Sequence, residues 1–315
     1  MPNRNLPVIQ PGAGSQESAK VPVFARIGII GLGLVGGSIA LAARQIWPSS
    51  LVIGVDNKEV LEKAMVLHAI DVAADDLTVI SEADLIILAA PVCQNLVLIS
   101  ELSDYVSSPT VVTDVGSTKR AIGEAARCLP EHLTFVGGHP LGGAARQGIE
   151  HARPDLFVKR PWIFTPSSEG FGETLERLHQ FVEAFEANPV SMTAEEHDVL
   201  LANLSHLPQL TISVMLHVIG GSVGREGLAL SGRGLADTTR LASSPASVWN
   251  DICSTNSDFI GGALDELIAA LSDIRMNLKS TEAIDKVFVS ANKWRELLPP
   301  RGERKSGPRL SRGSG

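Results

Sequence analysis

The chain has 315 residues, a net charge of −8 with neutral histidines, and a hydrophobic fraction of 44%. This length favours two domains, and the acidic balance argues against nucleic acid as the main partner. The sequence has no apolar run of about 18 residues and no basic-then-apolar N-terminus, so we expect a cytoplasmic protein without a membrane segment or a secretory signal.

Cysteine usage and the two chain ends set further limits. The three cysteines are far apart and form no CxxC pair, which argues against a disulfide framework and against a zinc site, and we expect no metal. Residues 1–24 and the basic tail 299–315 have compositions typical of disordered segments. Between them we predict an α/β domain over residues 25–192 and a helical domain over residues 193–298.

A glycine-rich turn near the start of the chain predicts a dinucleotide site. Gly31, Gly33 and Gly36 follow an apolar run at GxGxxG spacing, and a helical pattern comes next. A second apolar run ends at Asp56, 20 residues beyond Gly36, where a Rossmann unit places the acid that binds the adenosine ribose. A carboxylate there pairs with a free 2′-hydroxyl and repels a 2′-phosphate, which favours NAD over NADP.

The predicted cofactor contacts lie in this turn, at the acid, and in the "APV" segment after a later strand. The helix that follows the turn offers free N–H groups and a partial positive charge to the phosphates. The predicted cofactor-binding residues are Gly31, Leu32, Gly33, Leu34, Val35, Gly36, Asp56, Ala90, Pro91 and Val92.

Apolar runs alternate with helix-like segments through the rest of the first half. The runs cover residues 84–90, 110–114, 133–137, 160–166 and 189–192, and they predict a doubly wound parallel sheet with helices on both faces. Ligands of such sheets bind beyond the carboxyl ends of the strands. There the sequence has "DVGSTK" at 114–119 and "GGHPLGG" at 137–143, so we expect His139, in a glycine-rich loop, to lie near the nicotinamide. The alternative is an ordinary surface turn.

A long helix is predicted to open the second half. Thr193 and Glu196 have the spacing of a capping box, and the helical pattern continues to about Ile219, where two glycines are expected to end it. From Val199 onward the pattern is apolar nearly all round, so we expect the helix to be buried. Pro208 should bend the helix because proline frees a carbonyl of the preceding turn.

Five polar residues interrupt this apolar pattern at steps of three or four, which places them on one helix face. Two readings stay open: the face lines a polar pocket, or it lies in solvent or at a subunit interface. The five residues are Asn203, His206, Gln209, Ser213 and His217.

The remaining sequence adds one candidate ligand and more helices. Arg240 in "DTTRLASSP" has the planar fork that suits a carboxylate. Residues 259–298 are helical in pattern, so the second half reads as an all-α domain, which by analogy is often a dimerisation domain after a Rossmann half. We therefore expect a homodimer that binds a small-molecule substrate.

Together these motifs resemble a known enzyme family. The segments "GLGLVGGSIA", "DVGSTK", "GGHPLGG", "SHLPQ" and "DTTRLASS" occur in the order found in the prephenate/arogenate dehydrogenases of tyrosine biosynthesis, over roughly residues 25–295. The resemblance implies an NAD-dependent oxidative decarboxylation. Hydride leaves a hydroxyl-bearing ring carbon, the hydroxyl loses its proton, CO₂ departs, and the ring becomes aromatic.

The resemblance also implies roles for individual residues. His139 is similar to the histidine that takes the hydroxyl proton, and Ser117 to the serine that hydrogen-bonds this histidine and the hydroxyl. His206 is similar to a helix histidine that lines the substrate pocket, and Arg240 to the arginine that binds the substrate carboxylate.

One segment departs from the family pattern. The family's loop usually reads "HPMAG", and Leu141 and Gly142 replace the Met and the Ala here. Neutral Gln147 stands where a charged group would read the amine of arogenate, so we expect Gln147 to bind substrate and the substrate to be prephenate.

Two alternatives to this reading remain. A β-hydroxy-acid dehydrogenase would carry a lysine on the long helix of the second domain, and residues 193–219 contain none. A dinucleotide-sensing protein without turnover would keep the glycines and Asp56 but would not need His139, Ser117 and Arg240 together.

Overall fold

The computed structural model describes residues 21–142, 147–167 and 172–298. The tail predicted over 299–315, most of the segment predicted over 1–24, and Gly143 of the glycine-rich loop lie outside the described residues.

Eight strands form one sheet in the order β3-β2-β1-β4-β5-β6-β7-β8. Every strand run expected from the sequence is a strand, and a three-residue strand that the sequence pattern does not predict pairs with β2 at one edge. The strands are β1 (Arg26–Ile30), β2 (Leu51–Val55), β3 (Val72–Ala74), β4 (Leu85–Leu88), β5 (Thr110–Asp114), β6 (Leu133–Pro140), β7 (Pro161–Thr165) and β8 (Asn188–Ser191).

The sheet is parallel except between β6 and β7, which pair antiparallel with His139 opposite Ile163. The predicted doubly wound parallel sheet is confirmed, and this pair is its one antiparallel exception among the described strands. The physical reason is the connection, because a parallel pair needs a crossover of a dozen or more residues, usually with a helix. In the described part of the β6–β7 connection the regular structure is one short 3₁₀ turn, Ile149–His151.

Helices cover both faces of this sheet. Alternate residues of one strand enter different cores: Ile29 packs in one cluster and Ile30 in the other. The helices of the α/β domain are α1 (Leu34–Ile46), α2 (Lys58–Val66), α3 (Val92–Tyr105), α4 (Arg120–Ala125) and α5 (Gly172–Ala184).

The folded α/β domain begins before the predicted boundary at residue 25. Phe24 is 1% exposed, its ring packs edge-on against Phe181 at 5.7 Å, and its carbonyl accepts a hydrogen bond from Ser50. The expectation of disorder as far as residue 24 is wrong for Phe24, because an apolar ring belongs to the core that the disorder-like composition around it does not reveal.

Six helices follow in the part of the helical domain that the structure describes. The first two are joined by a π-helical turn, Ala202–His206, immediately before Pro208, as expected for a proline that disturbs the preceding turn. The helices are α6 (Ala194–Leu201), α7 (Leu207–Ala229), α8 (Arg233–Thr238), α9 (Ala246–Thr255), α10 (Ser257–Met276) and α11 (Thr281–Leu297).

The long helix differs from its prediction in length and in burial. It passes through Gly220 and Gly221, because a helix tolerates interior glycines at a cost of about 1 kcal/mol each, and it kinks at Gly224, whose backbone is not helical (φ 61°). A second helical segment then reaches Ala229. Within one chain its apolar residues remain largely exposed, among them Val214 and Val218 at 60% and 58%.

The same helical stretch, residues 194–229, is apolar and long enough to cross a membrane by length and composition. Its first turns are nevertheless in buried polar contact with the α/β domain, described below, so we count it as part of the folded protein.

Candidate active site

A cleft of about 980 Å³ lies between the carboxyl ends of the central strands and the helical domain. The α/β domain provides the turns after β1, β4, β5 and β6, and the helical domain provides residues of α6, the π-helical turn and α9. Nine residues that the sequence singled out line this cleft: Gly33, Leu34, Val35, Ala90, Pro91, Val92, Ser117, His139 and Gln147.

The turn before α1 has the geometry of a phosphate cradle. Gly31 has φ 96°, which an L side chain rarely adopts, and a Cβ at Gly36 would overlap the carbonyl oxygen of Gly31. A Cβ at Gly33 would meet open space, so another group has room to approach the backbone there. The N-terminus of α1 has neither a side-chain cap nor an acidic residue in its first turn. These residues fit the pyrophosphate of a dinucleotide, whose oxygens would accept from the free N–H groups.

Asp56 lies at the end of β2 and holds this turn in place. Its Oδ2 accepts a hydrogen bond from the N–H of Leu32 at 2.7 Å, and its Oδ1 accepts one from the N–H of Asn57 at 2.7 Å. Gly31, Leu32, Gly36 and Asp56 shape the turn without lining the cleft itself. The residues fit an NAD site, with Asp56 beside the turn that a ribose would contact.

His139 belongs to β6 and not to a loop, which corrects the sequence prediction. The glycines before it are needed for close strand packing. A Cβ at Gly138 would come within 2.6 Å of the carbonyl oxygen of Asp114, and one at Gly137 would overlap the hydroxyl of Thr165. The N–H of Gly138 donates to Asp114 Oδ1 at 3.1 Å. The glycines therefore let β6 pack closely against β5 on one side and β7 on the other, and they fix the backbone that carries His139.

Asp114 is also half of a buried ion pair in the turn after β5. Its Oδ2 accepts from Lys119 Nζ and, at 2.8 Å, from the N–H of Gly116. Both side chains of the pair are at most 1% exposed. Burial lowers the pKa of Lys119, and the carboxylate of Asp114 opposes that shift. The pair fixes the turn that places Ser117 in the cleft.

Two residues that the sequence reasoning missed form a hydrogen-bonded chain with His139. Nδ1 of His139 lies 2.8 Å from Nε2 of His197, and Nδ1 of His197 lies 2.8 Å from Oδ1 of Asp198. The carboxylate also accepts from the backbone N–H groups of Lys119 and Arg120, at 2.8 and 2.9 Å. His197 and Asp198 are fully buried. The first turns of α6 thus reach across the domain boundary to the strand end.

Burial and these hydrogen bonds shift the pKa values of the three groups. Burial, and after it the nearby ionisable groups of His197, Lys119 and His206, lower the pKa of His139 well below 6.5, so its ring is neutral at pH 7. Burial also lowers the pKa of His197, although Asp198 opposes the shift. Burial alone would raise the pKa of Asp198, but the hydrogen bonds from His197 and from the two backbone N–H groups outweigh it and keep the carboxyl ionised.

A sequence signal for His197 and Asp198 did exist. They directly follow the Thr193–Glu196 capping box, which the structure contains, and they directly precede the apolar part of the helix. Two adjacent titratable residues at the border of a buried segment need partners, and here the partner is the neighbouring domain.

The polar stripe of the long helix divides into buried and exposed members. His206 is 1% exposed, with its ring against Trp249, and Gln209 Nε2 donates to the carbonyl of Leu241 at 2.7 Å. These two residues, with Ser213, hold the segment that packs beside the helix, whereas Asn203 and His217 are exposed. The buried members are therefore satisfied polar groups, and none of the five residues lines the cleft.

Two predicted substrate ligands lie outside the cleft within one chain. His206 is buried behind the wall to which Leu204 and Ser205 contribute. Arg240 is exposed on the 3₁₀ segment Thr239–Ser243. Ser117 lines the cleft but has no hydrogen bond to His139 among the described residues. Lys159 is the one lysine or arginine among the described residues that line the cleft.

Comparison with known proteins agrees with this arrangement. The prephenate dehydrogenase nucleotide-binding domain matches residues 39–191, and the prephenate dehydrogenase dimerization domain matches residues 193–289. A prephenate dehydrogenase of Bacillus subtilis (strain 168) is 34% identical over 87% of this chain and 76% of its own length. A cyclohexadienyl dehydrogenase of Zymomonas mobilis is 30% identical over 82% of this chain and 90% of its own.

Solved structures agree in fold. A Synechocystis arogenate dehydrogenase superposes with a TM-score of 0.74 at 28% identity, covering 86% of this chain and 99% of that chain. The prephenate dehydrogenase of A. aeolicus, in complex with hydroxyphenyl propionate and NAD⁺, gives a TM-score of 0.80 at 25% identity, covering 87% and 98%. The motif order, the two matched domains and these relatives lead to one conclusion: the chain belongs to the prephenate dehydrogenase family.

Proposed function

We propose that this protein catalyses the NAD-dependent oxidative decarboxylation of prephenate to 4-hydroxyphenylpyruvate in tyrosine biosynthesis. The observation that carries the proposal is the position of His139, which lines the same cleft as Ser117 and the first turn of α1. A neutral imidazole there can act as a base next to the expected nicotinamide position.

The chain's residues divide the work of this reaction. NAD⁺, when bound, supplies the hydride acceptor. His139 accepts the proton of the substrate hydroxyl at Nε2, because its Nδ1 already faces His197. We assign the hydroxyl of Ser117 a hydrogen bond to the same substrate oxygen. Apolar side chains on the cleft wall, such as Val92 and Ile252, exclude water while CO₂ leaves and the ring becomes aromatic.

Arogenate is the second candidate substrate, and the Synechocystis relative named arogenate dehydrogenase supports it. Our preference for prephenate rests on Gln147, which lines the cleft and has no charge to offer the amine of arogenate. Leu141 and Gly142 also line the cleft. A methyl group at Gly142 would come within 3.3 Å of the carbonyl oxygen of Leu156, so this position is narrow for the family's alanine.

The deciding experiment is the reduction of NAD⁺ by the purified protein with prephenate and, separately, with arogenate, each repeated with NADP⁺. Turnover with prephenate and NAD⁺ that exceeds the other three combinations supports the proposal. Turnover with arogenate alone would transfer the assignment to the second candidate. Tight NADH binding without turnover on either substrate would favour the sensing protein.

Replacing His139 tests the base directly. His139→Asn should lower kcat at least about 10²-fold, because a positioned general base contributes that much or more, while the Kd for NADH stays within about 3-fold. The control is His132→Asn, whose ring bonds the Val106 carbonyl away from the cleft. Unchanged kcat in His139→Asn would remove this residue from the mechanism.

Carboxylate recognition is proposed for Arg240, with His206 supporting the pocket. Since Arg240 lies outside the cleft in a single chain, this role needs another arrangement of the helical domain or a second subunit. Arg240→Ala should raise KM for prephenate far more than KM for NAD⁺. An equal rise in both KM values would place the arginine at the cofactor.

We further propose a cytoplasmic homodimer. The matched dimerization domain supports it, as do the exposed apolar side chains of α7. Val218→Asp should shift the protein from dimer to monomer in sedimentation equilibrium. Val97→Asp is the matched control, because Val97 is equally exposed (56%) but lies on α3 of the α/β domain. Equal behaviour of the two variants would exclude this face from the interface.

A further inference from the structure

The chain of hydrogen bonds behind His139 has a direction that its chemistry dictates. The carboxylate of Asp198 is ionised and only accepts, so the hydrogen between it and His197 belongs to Nδ1 of His197. A neutral His197 with its hydrogen on Nδ1 presents a lone pair at Nε2. Nδ1 of His139, 2.8 Å away, must therefore donate. Nε2 of His139 is left without a hydrogen.

This direction bears on the reaction because a neutral imidazole has only one basic nitrogen. Nε2 of His139 has no hydrogen-bond partner among the described residues, and His139 lines the cleft. The tautomer with the hydrogen on Nδ1 is the less common form of a free neutral histidine, so the protein has to select it. His197 is the group that makes that selection, and Asp198 determines the orientation of His197.

We propose that His197 and Asp198 are positioning residues that hold His139 in the tautomer whose Nε2 accepts the substrate proton, an inference that rests on the proposed function for its chemical consequence. When the hydroxyl O–H bond breaks, the proton goes to Nε2 of His139 and the hydride goes to NAD⁺. The ring of His139 then carries a positive charge, and its Nδ1 hydrogen points along the chain to His197 and the carboxylate of Asp198.

The surroundings of Asp198 show why it can fill this role from another domain. Its carboxylate accepts hydrogen bonds from the backbone N–H groups of Lys119 and Arg120 in the α/β domain. The backbone carbonyl of Asp198 accepts a further one, at 2.9 Å, from Nδ2 of Asn256. Two of these hydrogen bonds hold the carboxylate and the third holds the backbone of the same residue, so the carboxylate is fixed where it accepts from His197. The contact that joins the two domains therefore also positions the residue that selects the tautomer of His139.

The first test reads the tautomer without any substrate. In ¹⁵N-histidine NMR of the whole protein at neutral pH, His139 should show hydrogen on Nδ1 and none on Nε2, and in His197→Leu its signals should move to the Nε2-protonated form. A parent protein whose His139 carries hydrogen on Nε2 overturns the inference, whatever the protein's activity.

The second test uses kinetics with matched variants. His197→Leu should lower kcat about 10²-fold or more, with KM for prephenate and the Kd for NADH within about 3-fold, because loss of the correct tautomer is costly in hydrogen-bonded histidine bases. His197→Gln can place its amide oxygen to accept from Nδ1 of His139 and should recover kcat to within about 10-fold of the parent. His179→Leu, which also removes a partly buried histidine, should leave kcat unchanged.

The outcomes separate the two proposals. A parent enzyme without turnover on prephenate or arogenate contradicts the proposed function and leaves the NMR test of the inference intact. An active parent whose His197→Leu variant keeps kcat within 3-fold contradicts the inference alone. If His197→Leu fails to fold, His197→Phe serves instead, since its ring keeps the planar shape and offers no acceptor to Nδ1 of His139.

Discussion

The two halves of this protein differ in how much of their apolar surface they bury within a single chain. The described part of the α/β domain contains two clusters with 28 and 15 buried apolar side chains, one on each face of the sheet. The cluster of the helical domain has three, Ala202, Ile252 and Ile260. The first half buries its cores within one chain, whereas the second supplies one wall of the cleft and leaves many of its apolar side chains exposed.

The difference explains how the work is divided. The turn for the dinucleotide and His139 are both on the α/β domain, where the strands, the hydrogen bonds of Asp56 and the buried Asp114–Lys119 ion pair fix them. The helical domain contributes His197 and Asp198 through one turn of α6, and the backbone of the α/β domain holds that turn. A domain that leaves apolar surface exposed can still place a side chain precisely when hydrogen bonds from the other domain fix it.

The largest expected effect comes from replacing one tryptophan in each half and comparing the loss of stability. Trp47 is 2% exposed and stacks on Phe181 at 5.3 Å, whereas Trp294 on α11 is 69% exposed. Trp47→Ala should lower the free energy of unfolding by about 3–5 kcal/mol, and Trp294→Ala by about 0.5 kcal/mol or less in a dilute sample. Denaturant titrations at two protein concentrations measure both. A cost for Trp294→Ala that grows with concentration would show that subunit assembly buries it.

The next test uses pH and the helical half. Burial lowers the pKa of His206 to about 4, below the value near 6.5 of an unfolded histidine. As pH falls from about 6.5 to 4, the histidine binds a proton in the unfolded chain before it does so in the folded protein. The free energy of unfolding therefore falls, by at most about 3 kcal/mol for His206. The lowered pKa values of His139 and His197 change stability in the same direction. In His206→Gln the urea concentration at the unfolding midpoint should depend less on pH than in the parent. In the exposed control His217→Gln the dependence should stay as in the parent. Identical slopes for all three proteins would contradict the lowered pKa.

The sequence predicts local features of the structure better than contacts between distant residues. The strands and the glycine turn depend on local patterns, and these predictions agree with the structure. His139 lies at a strand end as expected, but on the strand itself and not in a loop. The antiparallel β7 depends on a connection without a predicted helix, and the link between His139 and His197 joins residues 58 positions apart. The expected burial of the long helix assumed that its partner is in the same chain.

A smaller effect tests the α/β domain at its predicted cofactor site. Asp56→Ala should weaken NAD⁺ binding about 10-fold, roughly 1.4 kcal/mol, and narrow the gap to NADP⁺. Asp56→Asn can still accept from the N–H of Leu32, so it separates the loss of charge from the loss of the turn. The control Asp75→Ala removes the same charge from an exposed site of this domain. Titration of protein fluorescence with each cofactor measures the affinities, and an unchanged preference in Asp56→Ala would mean that another group selects NAD.

The smallest effect concerns the junction between the halves. Thr193 caps α6 by accepting from the N–H of Glu196 at 3.1 Å, while the carboxylate of Glu196 accepts from the N–H of Thr193 at 2.8 Å. Thr193→Ala should cost about 1 kcal/mol of stability, and Thr193→Ser, which keeps the hydroxyl, close to none. Turnover should change little in either variant, because the hydrogen bonds from Lys119 and Arg120 to Asp198 hold the same helix turn one residue beyond His197. A loss of kcat in Thr193→Ala that Thr193→Ser restores would mean that the start of α6, and not the grip of the α/β domain on Asp198, aligns His197 with His139.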